Sequence, residues 1–171
     1  MNENIDNETR EAALASVANN AKVIRSGSES FHAAMEFVLK WEGGEKVTKD
    51  PDDPGGTTKW GISQRAYPSL NIEALDKQDA HSIYWTDYWR PFGLDAAPAG
   101  LALSIFDAAV NVGVGRVRGW FKELGEGFTA EQFNDRREKY YKDLVEARPV
   151  MNKYLKGWMN RLNDLRKKVQ S

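Results

Sequence analysis

The residues whose types and spacing carry most chemistry lie between positions 41 and 63. Trp41-Glu42-Gly43-Gly44 is followed by Asp50-Pro51-Asp52-Asp53-Pro54-Gly55-Gly56-Thr57-Thr58-Lys59-Trp60-Gly61-Ile62-Ser63. One carboxylate stands at the end of an apolar run, and three more follow in a loop rich in glycine and proline. Hydrolysis of a glycosidic bond uses such a pair. One carboxyl group stays protonated to donate to the leaving oxygen, and a second stays ionised as nucleophile or as base for water. Different surroundings hold the two groups in different states. Glu42 follows Trp41 and an apolar segment, so partial desolvation and a helix C-terminus both disfavour its charged form. The loop acids sit in a polar setting that keeps them ionised.

These residues also have plain structural roles. A glutamate at a helix end is commonly solvated, aspartates next to proline favour turns, and glycines supply positive φ angles. Residue types alone leave both readings open. Calcium binding is disfavoured because the twelve-residue loop pattern with its terminal glutamate is absent. His32 and His81 are far apart in sequence, lack a third partner at sensible spacing, and read as ordinary helix-surface histidines, so no metal is expected. No Gly-x-Ser-x-Gly elbow is present, and Gly55-Gly56-Thr57-Thr58-Lys59 lacks the spacing of a phosphate-binding loop.

Helical elements must position the acids. Phe31, Met35, Val38 and Leu39 fall on one helical face, and Gly43-Gly44 ends that helix. Residues 43–61 read as a turn-rich loop or short hairpin. Asp76 caps a helix reaching Trp89, with Ala80, Ile83 and Tyr84 inward. Residues 98–111 form the most apolar stretch, a buried central helix. A short helix follows at 115–124. Thr129-x-x-Gln132 is a capping box opening a helix to Ala147, which Pro149 ends. Met151, Leu155, Trp158, Met159, Leu162, Leu165 and Val169 mark the last helix. The expected fold is mainly α, with a small β-hairpin or loop region near residues 45–62. Residues 1–28 are a polar appendage with a weak amphipathic helix over 9–25, and 29–171 form the folded domain.

Composition agrees with this. At 171 residues, 41% apolar and 29% charged, the chain is long enough to bury its own core. It contains no cysteine, which excludes a disulfide framework and a cysteine nucleophile. A net charge of −1 argues against nonspecific nucleic-acid binding. Residues 131–171 hold six acids and eleven bases, read as solvated helix faces. No apolar run approaches the ~20 residues of a membrane span, and the acidic start, Met1 to Asp6, is unlike a secretory signal.

The stretch from Glu42 to Ile62 resembles the N-terminal signature of glycoside hydrolase family one hundred and eight, which contains phage endolysins and related bacterial muramidases. Ile83-Tyr84-x-x-x-Tyr88-Trp89, Phe106-Asp107-x-Ala109-Val110-Asn111-x-Gly113 and Tyr154-Leu155-Lys156-Gly157-Trp158-x-Asn160-Arg161 extend the likeness over about residues 31–165. The resemblance implies a lysozyme-like α-helical domain that cleaves the β-1,4 bond between N-acetylmuramic acid and N-acetylglucosamine in peptidoglycan. Glu42 matches the catalytic glutamate, the general acid. Asp53, with Gly56 and Gly61 after it, reproduces the intervals of the aspartate in phage-type lysozymes, and Asp50 is the competing position. Thr58 stands near the water-orienting threonine, one position early. Val114 to Trp120 and Gly125-Glu126-Gly127 depart from the wall-binding segment of many relatives, a degenerate region.

Trp60, Gly61, Tyr84, Tyr88, Trp89 and Asn111 are candidates for contact with substrate. Sugar C–H faces pack on aromatic rings, but aromatics at helical spacing equally build cores. For Trp158 the core reading is favoured. Asp107 and Asn111 lie one turn apart on an apolar helix and must be hydrogen-bonded if buried; a supporting role, such as holding the catalytic loop, is favoured. The expected partner is peptidoglycan glycan, bound by a monomer without metal, organic cofactor, nucleic acid or stable membrane insertion. The resemblance further implies synthesis in a host cytoplasm and action on the cell wall in the periplasm, after release through a holin pore or with a virion. A lytic transglycosylase, or a noncatalytic glycan-binding protein on the same fold, are the other readings.

Overall fold

The computed structural model describes residues 28–49 and 56–170. The expected helix over 9–25 and the loop aspartates Asp50, Asp52 and Asp53 lie outside the described residues. The chain divides between Pro91 and Phe92 into two compact units.

In the first unit, helix α1 spans Glu29–Trp41. The Ser28 Oγ accepts a hydrogen bond from the Phe31 N–H at 3.3 Å, capping its start. Phe31, Ala34, Met35 and Val38 recur at helical spacing, and all are buried. Gly43 and Gly44 both take positive φ and turn the chain away. Strands β1, Thr58–Lys59, and β2, Ile62–Ser63, pair antiparallel, with Thr58 opposite Ser63 and Lys59 opposite Ile62. The two residues between them, Trp60 and Gly61, have φ of 57° and 75°. Positive φ at both positions of a two-residue connection matches the twist of a hairpin. Thr48 and Thr58 exchange main-chain hydrogen bonds of 2.9 Å in both directions. The small hairpin expected near 45–62 is therefore present.

Helix α2 spans Lys77–Tyr84. The Asp76 carboxylate accepts from the Asp79 N–H at 2.8 Å, and Asp79 reciprocates with the Asp76 N–H at 3.0 Å. The helix expected to run unbroken to Trp89 instead widens into a π-turn over Trp85–Trp89. Trp85 and Trp89 stack with ring centroids 6.3 Å apart, and Phe31 packs edge-on against both. Fitting two indoles around one phenyl ring accounts for the wider turn.

The second unit is built on helix α3, Ala99–Val112, whose residues 102–109 are all buried. Three helices pack on it: α4, Val114–Leu124; α5, Ala130–Ala147; and α6, Asn152–Gln170. At Gly100 a side chain would lie 2.8 Å from Val169 Cγ1, so α3 and the end of α6 meet closely there. The capping box of Thr129 and Gln132 opens α5 as expected. Pro149 begins a short 3-10 turn, Pro149–Met151, that separates α5 from α6. The segment departing from the wall-binding pattern forms α4, with Val117 and Trp120 buried. Trp120, Phe121, Phe128 and Phe133 form an aromatic cluster at its side. Among the described residues, no helix is long and apolar enough to cross a membrane.

Candidate active site

Glu42 is the C-cap residue of α1, and its N–H donates to the Val38 carbonyl at 2.9 Å. Its side chain is half-buried against the hairpin turn. Gly61 lies directly opposite. A Cβ at position 61 would come within 2.7 Å of Glu42 Cβ and 2.6 Å of the Tyr84 hydroxyl oxygen. Only a glycine leaves room for Glu42 at this spot, so Gly61 acts on the acid by shaping its seat.

The turn is itself held from three sides. The Trp60 N–H donates to the Gly44 carbonyl at 2.9 Å. The Trp60 indole N–H donates to the Leu75 carbonyl at 3.2 Å. The Tyr84 hydroxyl donates to the Trp60 carbonyl at 2.9 Å. These bonds hold a non-glycine residue in the left-handed region, where it costs about 1 kcal/mol or more.

Three aromatics considered for substrate contact are core residues. Trp60, Tyr84 and Trp89 are 8%, 2% and 0% exposed. The polar groups of Trp60 and Tyr84 are spent on main-chain partners, and Trp89 is enclosed by Phe31 and Trp85. They build the wall behind Glu42 and the hairpin, as aromatics at helical spacing usually do. Tyr88 differs. It is half-buried, and its ring lies 5.6 Å from that of Tyr84.

Tyr88 belongs to a group that motif reading did not find. The Tyr67 hydroxyl donates to Asp87 Oδ2 at 2.5 Å. Burial, and then this bond to a carboxylate, push the Tyr67 phenol far above its ordinary range. Burial also raises Tyr88. A hydrogen bond with Tyr67 opposes that shift, while the negative charges of Asp87 and Glu42 reinforce it. Both phenols therefore stay neutral. Asp87 had a visible place beside Tyr88 in the Tyr-x-x-x-Tyr spacing. Tyr67 comes from a loop, where Gln64 Nε2 donates to the carbonyls of Tyr67, Pro68 and Leu70, and has no periodic signature.

Thr58 is half-buried in β1, where its main chain is held by Thr48 and it stands opposite Ser63. Residues 49–57, which carry Asp50 and Asp53, thus join two residues that are bridged to each other. Asn111, in the second unit, is half-buried near the end of α3, and its Oδ1 accepts from the Tyr141 hydroxyl. Asp107 has its partners within the second unit. It is fully buried between Arg137 and Arg161, at 2.7 and 2.8 Å.

His81 is not a surface histidine. Its ring lies 5.9 Å from that of exposed His32 and 6.0 Å from Phe31. Its Nε2 is buried without a hydrogen-bond partner among the described residues. Burial, then the charges of Lys77 and His32, lower its pKa to about 4. No group of three or more His, Asp or Glu among the described residues is placed to hold a metal ion.

A half-buried carboxylate at a helix end, seated on a hairpin glycine within a mainly α fold, is the arrangement of a lysozyme-like glycoside hydrolase. Residues 35–113, which include Glu42, Thr58, Gly61 and Asn111, match the model of the family described as Glycosyl hydrolase 108. The solved structure of Brucella abortus SagA is similar to this chain at 25% identity, covering 82% of this chain and 93% of that one with a TM-score of 0.66. No curated protein matches the chain.

Proposed function

We propose that the protein is an N-acetylmuramidase that cleaves the β-1,4 bond between N-acetylmuramic acid and N-acetylglucosamine in peptidoglycan. The observation that supports it most is the seat of Glu42, between the end of α1 and Gly61, within the family's segment. Glu42 protonates the leaving oxygen. An ionised carboxylate from residues 49–57, Asp53 ahead of Asp50, stabilises the developing positive charge or activates water, and Thr58 helps to place that water. The enzyme acts as a monomer on glycan strands. Its place is the lysis of a bacterial cell as a phage endolysin, made in the host cytoplasm and delivered to the periplasmic wall through a holin pore or with a virion.

The test compares purified peptidoglycan treated with the wild-type protein and with folded Glu42→Gln, using mass spectrometry of the fragments. Reducing muramic-acid ends from the wild type alone support the proposal. Anhydro-muramic ends would move the protein to the lytic transglycosylases. Binding by both proteins without new ends would leave a glycan-binding role.

A further inference from the structure

The second unit carries more cations than its acids can pair. Residues 131–171 hold eleven bases and six acids. Many of the bases are spent on carboxylates: Arg137 and Arg161 on Asp107, Arg136 on Glu123, Lys139 on Asp143, and Lys142 and Arg166 on Glu138. Between Glu146 and Asp164 the sequence has no acid at all. Arg148, Lys153 and Lys156 fall in this interval, are exposed, and have no carboxylate partner among the described residues.

The same interval exposes apolar surface. Three large hydrophobic residues are exposed among those described: Val47, Val150 at 71% and Tyr154 at 47%. One such residue alone calls for no explanation. Val150 and Tyr154, however, stand four positions apart where the turn Pro149–Met151 leads into α6, and the cations flank them. The Lys153 ammonium lies over the Tyr154 ring, 4.9 Å from its centre, and Trp158 stacks on that ring at 5.7 Å. Trp158 in turn stacks on the buried Tyr141 of α5 at 5.1 Å. A column of rings thus anchors the exposed tyrosine to the core.

The chemistry of this surface selects its partner. Two apolar side chains are too few for the buried centre of a stable protein interface. A sugar packs on an open aromatic face, whereas the Tyr154 ring already carries Trp158 and an ammonium. A bilayer interface takes what is present: a tyrosine with apolar ring and polar tip, an apolar side chain near it, and cations on long stems that reach phosphates. We propose that the turn between α5 and α6, with the first turns of α6, docks reversibly on the headgroup region of an anionic phospholipid bilayer. Val150 and Tyr154 enter the interface, and Arg148, Lys153 and Lys156 meet lipid phosphates. Neither Glu42 nor any glycan takes part, so this docking and the muramidase reading stand or fall separately.

The test is cosedimentation of the full chain with vesicles of phosphatidylcholine alone and of phosphatidylcholine mixed with phosphatidylglycerol, at low and at high sodium chloride. Binding is expected on the anionic vesicles only, weakening as salt rises. Lys153→Glu with Lys156→Glu should lower the partition coefficient at least tenfold. Val150→Ser with Tyr154→Ser should lower it several-fold at constant charge. Arg118→Glu with Lys122→Glu makes the same change in net charge on α4, whose end lies beside the first half of α5 through the Glu123–Arg136 pair. That variant should keep most of the binding. Every position changed is exposed, and melting curves check that each variant folds. Equal loss in the α4 variant would show attraction by the whole protein and overturn the proposal. Absence of binding to anionic vesicles would overturn it too. So would a Val150–Tyr154 variant, in the Glu42→Gln background, that loses cosedimentation with peptidoglycan while vesicle binding is unchanged, because the surface would then belong to a glycan.

Discussion

Glu42 and Gly61 lie so close that a single methyl group at position 61 would stand 2.7 Å from Glu42 Cβ. Backbone and side chain act together here, because Gly61 also has a φ of 75°. Gly61→Ala should lose about 1–3 kcal/mol of stability from the left-handed backbone, and more from the contact. The displaced Glu42 should lower turnover at least tenfold even well below the melting temperature. Thermal melting and turbidity clearance of peptidoglycan check this. Unchanged turnover would show that the seat does not set the acid's position.

Stability should depend on pH through His81. Its folded pKa of about 4 lies below the ordinary 6.5, so the unfolded chain binds the proton first as pH falls. The stabilisation is complete above pH 6.5, declines between 6.5 and about 4, and then levels off for this group. Lys77 and His32, which face the ring, add to the effect as positive charges. The full shift corresponds to at most about 3 kcal/mol, and the half-exposed ring reduces it. His81→Gln should flatten that part of the stability profile; an equal slope in both proteins would assign the decline to other groups.

Removing the Asp107 carboxylate should be among the most damaging single changes. Asp107→Asn leaves two buried guanidinium groups without their shared counter-charge. The expected loss is about 3–5 kcal/mol, read by urea denaturation. Exchanging an exposed pair such as Lys139–Asp143 should cost less than about 1 kcal/mol.

Tyr67→Phe tests the phenol group beside the acid. It leaves Asp87 without its 2.5 Å partner and frees Tyr88. A stability loss of about 1 kcal/mol is expected from the hydrogen bond. If Tyr88 steadies Glu42 during turnover, kcat should fall several-fold with KM little changed. A change confined to KM would instead place these residues at bound substrate.

Much of the helical frame was legible because its ends carry local chemistry. Asp76 and Thr129 cap helices through side chains three residues away, and Gly43-Gly44 and Pro149 stop them by backbone restriction. The buried run of α3 follows from its uninterrupted apolar composition. Glu42 was legible as a residue at the end of an apolar helix. What escaped depends on partners distant in sequence. Gly61 meets Glu42 across the hairpin, Tyr67 meets Asp87 across 20 residues, and Asp107 meets Arg161 across 54. The π-turn at Trp85–Trp89 follows from fitting bulky rings around Phe31, which no capping signal announces. His81 looked superficial because its sequence neighbours are polar, whereas its spatial neighbours are rings.

The Thr48–Thr58 pairing has a consequence for how this protein can diversify. Both of its hydrogen bonds are main-chain to main-chain, so they are indifferent to side-chain identity at either residue. The segment between them can change in sequence and length while the clasp at its base persists. Loop closure scales only slowly with length. The segment bearing the candidate second carboxylate is thus an exchangeable cassette. Natural drift or deliberate grafting can change that segment while the helix that ends at Glu42 stays untouched.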